Sequence, residues 1–308
     1  MYHEPLTDDQ WNGWFAAALL APLAQSCGGN LPAALLSGIA AAAVMLVLSR
    51  RTRQWTRWTA VVMLAGLTVE LWALLVGAEN AWPSDRKTAV LPLTLLALAA
   101  ASGLKGNGPA ASAATVLLRF LTVGILIVTL CTMGKLQPRR ILAETSSSWA
   151  AQITVWLLPL PLLLFPKPGK KQGGLWLLVL AGGILTAAAN GVLGAAVGYS
   201  ENRFYAMGRS AAMFGTVKHL EAAAGTALLL GWFASLSLAL TAAGRAGEIL
   251  TGNGCQWAAA VAAVSAATYL TGIRPGAATV LAAQAGMILA ATAAGKRNTK
   301  KDEKGVDK

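Results

Sequence analysis

Apolar residues along the chain fall into ten blocks, at roughly 11–27, 31–49, 57–78, 88–104, 110–133, 149–165, 175–199, 217–243, 254–272 and 275–294. Most match the roughly 17–25 residues that a helix needs to cross about 30 Å of hydrocarbon. Turn chemistry separates them: GGNLP after the first block, RRTRQWTR after the second, WPSDRK before the fourth and KGNGP before the fifth. QPRRILAETSS, PKPGKKQGG, YSENRFYAMGRS, GRAGEILTGNG and TGIRPG follow in turn. These connections are too short to hold a folded soluble domain. The pattern predicts an all-α membrane protein of ten transmembrane helices. Residues 1–295 form one polytopic domain with five-helix halves at about 11–133 and 149–294, and 296–308 form a disordered basic tail.

Composition agrees. Of the 308 residues, 56% are hydrophobic and 12% charged, against roughly 25% charged in soluble domains. The net charge of +12 sits in clusters between apolar blocks, with no basic face interleaved with aromatics. It therefore points to loops facing the cytoplasm and to no nucleic-acid partner. With both termini cytoplasmic, the loops carry nine basic residues on each side. The six in the tail and the cluster of Arg50, Arg51, Arg53 and Arg57 then decide the orientation. Cys27, Cys131 and Cys255 are dispersed and, with His3 and His219, offer no metal-site spacing. No cofactor is called for. The opening MYHEPLTDDQ is acidic where a cleavable signal would be basic.

An ionisable side chain inside hydrocarbon needs a reason to be there. Glu70 lies mid-span in the third block, as a ligand or proton site or as the structural partner of Arg119. Arg119 lies in the fifth block, as a structural partner or a snorkelling side chain. Glu221 follows Lys218 by three residues at the start of the eighth block, where one helix face would let them pair. Asn190 and Gln284 read as interhelical hydrogen-bonding groups. Ala- and Gly-rich helix interiors, as in GILTAAANGVLGAAVG, allow close helix packing.

Helix breakers concentrate in two blocks. The first contains Pro22 and runs into Ser26, Cys27, Gly28, Gly29 and Asn30; the sixth contains Pro159 and Pro161. Broken helices at matching positions of two halves mark transporter-type sites, where freed backbone groups coordinate a ligand. The competing reading is that these are turn residues at span ends. On the first reading Ser26, Gly28, Gly29, Glu70, Pro159 and Glu221 are the ligand-binding candidates, with Arg119, Asn190 and Lys218 structural. No GxSxG, HExxH, P-loop or acidic pair at a membrane face is present, so no enzyme is expected.

Several stretches resemble the spore germination permeases, the membrane-embedded B subunits of endospore germinant receptors. In the segment from Glu201 onwards, Tyr205, Arg209, Phe214, Gly215, Leu220, Glu221, Ala222 and Trp232 fall in the family's order. Lys218 and His219 stand where a Glu-Arg pair is usual. LTDDQW, ENAWPSDRKTAVLPLTLLALAAASGLKG, CTMGKLQPRRIL and LLLFPKPGKKQGG resemble further family segments. The resemblance implies a LeuT-like fold of the amino acid–polyamine–organocation superfamily, with two inverted five-helix repeats and helices one and six unwound at midplane. It also implies sensing or transport of a small germinant, commonly an amino acid, in the spore inner membrane beside an A subunit and a lipoprotein C subunit. Composition alone fits equally a ten-helix drug/metabolite-type transporter or a non-transporting membrane scaffold.

Overall fold

The computed structural model describes residues 6–49, 54–82, 89–103, 105–142, 149–166, 173–200, 202–213, 217–218 and 220–294. The tail, most of the Arg50 cluster and His219 lie outside these residues. The described chain is helical: α1 (Asp8–Ser26), α2 (Leu31–Ser49), α3 (Arg57–Glu79), α4 (Val90–Gly103), α5 (Asn107–Thr132) and α6 (Trp149–Trp156) form its first part. α7 (Gly173–Leu193), α8 (Arg203–Ser210), α9 (Glu221–Thr251), α10 (Gly254–Leu270) and α11 (Ala277–Ala293) complete it. Each of the ten apolar blocks carries a helix. Five helical stretches are long and apolar enough to cross a membrane: 31–49, 57–79, 107–135, 174–198 and 221–251. Val90–Gly103, Trp149–Leu164 and Ala277–Ala293 are shorter apolar stretches. The chain is a helical membrane protein.

Local chemistry sets the helix ends. Thr7 and Gln10 form a reciprocal capping box at the start of α1, and Thr56 and Thr59 form one at the start of α3. Each satisfies backbone N–H groups that the first helical turn leaves without partners. α9 ends on Gly252 in a left-handed conformation, its N–H donating to the Glu248 carbonyl at 2.9 Å. Its 31 residues extend about 46 Å at 1.5 Å per residue, well beyond a hydrocarbon core.

Two elements were not expected from the sequence. α8 is a short helix, followed by a hairpin of two-residue strands, β1 (Ala212–Met213) and β2 (Val217–Lys218). This hairpin corrects the Lys218–Glu221 expectation: Lys218 is in a strand and Glu221 opens α9, so no shared helix face exists. The turn at Leu220 into α9 interrupts the helical period that the pairing assumed.

Pro22 does not break α1. A proline inside a helix removes the N–H that would reach the carbonyl four residues earlier. Here that carbonyl, on Ala18, accepts a hydrogen bond from the Ser235 hydroxyl of α9 at 2.8 Å. The sixth block is interrupted as expected. α6 stops at Trp156, and the chain tightens into a 3-10 turn over Leu160–Leu164 behind Pro159.

α9 lies at the centre, packed against α1, α3, α4, α5 and α10. α3 also packs against α10 and α11, α1 against α5 and α7, and α2 against α6 and α7. Trp14 ties α1 to α9 again, its indole N–H donating to the Ala234 carbonyl at 3.3 Å.

Candidate functional site

A cavity of about 310 Å³ opens among α1, α3, α6, α9 and the start of α11. Its walls include Pro22, Gln25 and Ser26 of α1, Leu74 and Gly77 of α3, and Trp232 of α9. Ala151, Thr154 and Leu158 close the α6 side, and Pro275, Ala277 and Val280 close the α11 side. The lining carries no charged side chain.

Gln25 joins three helices at this cavity. Its side-chain amide donates to the Gly77 carbonyl at 3.0 Å and accepts from the Trp232 indole N–H at 2.6 Å. Gly77 is required by the close approach of that indole: a Cβ here would lie 2.2 Å from the ring. Ser26 lines the cavity with its hydroxyl turned back to the Pro22 carbonyl at 2.7 Å. The Thr154 hydroxyl likewise bonds to its own helix, at the Ala151 carbonyl. Two hydroxyls and one amide can therefore turn toward a ligand by exchanging local bonds.

The turn between α1 and α2 is held by other residues. Gly28 and Gly29 adopt φ of 96° and 100°, left-handed values that a side chain would strain. The Gly29 N–H donates to Asn190 Oδ1 at 2.8 Å, and Asn190 Nδ2 donates to the Gly29 carbonyl at 2.7 Å and the Ile141 carbonyl at 3.0 Å. Arg203 of α8 donates to the carbonyls of Ser26 at 3.0 Å and Gly28 at 2.9 Å. A cation thus sits at the negative end of α1. Burial lowers the Arg203 pKa from its usual value, yet an arginine retains its charge in proteins. The Gly29 N–H and the carbonyls of Gly28 and Gly29 are consequently already engaged, where the broken-helix reading required backbone free for a ligand. A cleft of about 20 Å³ bounded by Ser26, Cys27, Gly28, Gln152 and Thr186 has room for about one water.

The remaining candidates separate. Glu70 is 1% exposed, and its Oε2 has no hydrogen-bond partner among the described residues. It lies on the face of α3 that carries Leu74 and Gly77, one turn deeper than the cavity. On the adjoining α11, Gln284 is one turn deeper than Val280; its Nε2 donates to the Thr154 carbonyl at 2.9 Å and its Oε1 has no hydrogen-bond partner among the described residues. Arg119 is exposed on α5, so the alternative pairing of Glu70 with Arg119 does not occur. Pro159 ends α6 without lining the cavity, its neighbour Leu158 doing so instead. Glu221, eleven residues before Trp232, is about 16 Å up α9 from the cavity.

At the rim, the Arg274 guanidinium pairs with Glu79 Oε2 at 2.6 Å and stacks over the Tyr269 ring at 5.3 Å. Gln25, Gly77 and this ion pair were not singled out in the sequence, and Trp232 entered only through the family resemblance. Gln25 was readable as a polar residue one turn after Pro22, but its position beside the Ser-Cys-Gly-Gly turn made it resemble a span end. Comparison with protein-family models and with curated proteins gives no match.

Proposed function

We propose that this chain is a membrane subunit of the spore germination permease kind, which binds a small germinant such as an amino acid in the cavity between α1, α3, α6, α9 and α11. The observation carrying the proposal is that cavity. It lies where the end of α1 and the interruption of α6 come together, at about 310 Å³, the lower end of small-molecule sites. Ser26, Thr154 and the Gln25 amide supply neutral polar contacts, and Trp232 an aromatic wall. Glu70 beneath them would take the ligand's ammonium group.

Helix neighbours support a ten-span, two-repeat reading in which α8 is a loop helix. The halves are then α1 to α5 and α6, α7, α9, α10 and α11. Exchanging each helix for its counterpart maps α1 beside α5 onto α6 beside α11, and α2 beside α6 onto α7 beside α1. It also maps α3 beside α11 onto α9 beside α5, and α3 beside α10 onto α9 beside α4. Inverted repeats produce such correspondences. On this reading both termini are cytoplasmic in the spore inner membrane, beside an A subunit and a lipoprotein C subunit. Reporter fusions after Gln172 and after Lys308 should both give cytoplasmic signals, and an external signal at either would reject the two-repeat reading.

The uncharged lining favours a second reading, a drug/metabolite-type transporter for an apolar small molecule. Thermal unfolding of the purified protein with single amino acids and with uncharged analogues separates the two. Germinant binding predicts a rise in Tm with at least one amino acid. That rise should vanish in Glu70→Gln, which must still accumulate in the membrane, and in Ala73→Trp, which fills the cavity. Stabilisation by uncharged analogues alone would reject the amino-acid assignment.

A further inference from the structure

We infer that the outward face of α5 docks a transmembrane helix of another protein that carries an aspartate or glutamate at mid-bilayer depth, with Arg119 as its anchor. The inference depends on α5 crossing the membrane and is independent of the cavity's ligand.

α5 packs against α1 and α9 through Ala110, Ala114, Leu121, Ile125 and Val128, which share one helix face. The opposite face is bare: Val116 is 53% exposed, Phe120 63%, Val123 54%, Leu126 54% and Leu130 57%. Only 22% of the helix's most apolar window is buried within the chain, the smallest share among the candidate spans. Exposed apolar side chains there are what lipid accepts. Arg119 is not.

By the helical period Arg119 falls at the centre of that bare stripe, flanked by Val116, Phe120 and Val123. It is exposed and makes no hydrogen bond or ion pair with any described residue. It stands about 14 Å from Ala110 and about 17 Å from Leu130 along the helix axis. Half a hydrocarbon core is about 15 Å, so Arg119 is near the midplane, where a guanidinium has the longest path to either headgroup layer. Charged residues at that depth ordinarily face the bundle interior and pair. This one faces outward with no partner among the described residues, which points to a partner from outside the chain.

Charge complementarity identifies the partner's chemistry as a carboxylate on a lipid-facing helix. A second copy of this chain does not supply it. Among the described acidic residues Glu70 is buried, Glu79 and Glu248 are ion-paired with Arg274 and Arg245, and Asp8, Asp9 and Glu221 are at helix starts. The other seven acidic residues, Glu4, Asp85, Glu144, Glu201, Asp302, Glu303 and Asp307, lie in sequence outside the ten apolar blocks, so a carboxylate at mid-bilayer depth belongs to a different protein.

The test uses the purified full chain in vesicles of phosphatidylcholine with a minor share of anionic phosphatidylglycerol, labelled at the exposed Cys255. Energy transfer is measured to single-span leucine-alanine peptides with one central Glu or Gln. The Glu peptide should associate at a roughly tenfold lower peptide-to-lipid ratio than the Gln peptide, the fold-change equivalent to about 1.4 kcal/mol. Arg119→Leu should abolish this preference, Arg119→Lys should retain it, and Arg119→Glu should transfer it to a peptide with a central Arg. Because Arg119 is exposed, all three variants should unfold at the temperature of the parent. Equal association of the Glu and Gln peptides, or a preference that survives Arg119→Leu, would overturn the inference. So would Arg119-dependent enrichment of anionic lipid without peptide discrimination, which would assign the guanidinium to phosphate headgroups.

Discussion

Replacing Asn190 with alanine tests how the α1–α2 turn is held. The side chain is 1% exposed and makes three hydrogen bonds, two with the Gly29 backbone and one with the Ile141 carbonyl. Truncation leaves one buried N–H and two carbonyls without these partners. Polar interactions within membrane proteins average about 0.6 kcal/mol and reach about 1.7; buried unsatisfied groups in soluble proteins cost roughly 1–3 kcal/mol each. Three bonds on the membrane scale give about 2 kcal/mol, and the orphaned Gly29 N–H raises this toward about 3. Asn190→Ala should therefore destabilise the bundle by about 2–3 kcal/mol. Asn190→Asp keeps the acceptor for the Gly29 N–H but sets a carboxylate oxygen against two carbonyls, so it should be at least as harmful. The measurement is reversible unfolding in mixed micelles titrated with SDS, followed by tryptophan fluorescence. A loss below about 0.5 kcal/mol for Asn190→Ala, the level of an ordinary surface change, would show that Arg203 alone suffices to hold the turn.

Gly77→Ala places a methyl against the Trp232 ring, where a Cβ would be 2.2 Å from its nearest atom. The indole must move and part from Gln25, so the variant should lose about 1–3 kcal/mol and show altered tryptophan emission; an unchanged spectrum would reject the packing described. Ser235→Ala removes the hydroxyl bonded to the Ala18 carbonyl behind Pro22. It should cost about 1 kcal/mol in the same titration, and Ser235→Thr should recover most of the loss. Arg274→Gln breaks the ion pair with Glu79 at the cavity rim. With the arginine partly exposed the cost should stay below about 1 kcal/mol, so an unfolding transition lowered by several times that would mean the pair does more than fasten the rim.

Much of the helical layout was legible in the sequence because the property that specifies it is local. An apolar block long enough to cross hydrocarbon, bounded by Gly, Pro, Asn and Arg, must satisfy its backbone internally, and a helix does so from its own residues. Leu31–Ser49 coincides with its expected block, and Arg57–Glu79 differs from its own by one residue. Burial of Glu70 and the hydrogen bonds of Asn190 follow from the same reasoning, since a polar group in such a block requires either a bundle interior or a partner. What tertiary structure alone decided is who those partners are. Trp232 reaches Gln25 across 207 positions, Asn190 reaches Gly29 across 161, and Arg203 reaches Ser26 across 177. Pro22 reads locally as a break, yet Ser235, on a helix 213 residues later, supplies the hydrogen bond that lets α1 continue. Arg119 and Glu70 have opposite charge and similar depth, but α5 turns one outward while α3 buries the other. In a chain whose helices are apolar all round, periodicity does not say which face meets which neighbour. Small-residue contacts and a few polar groups make that choice only once the bundle has assembled.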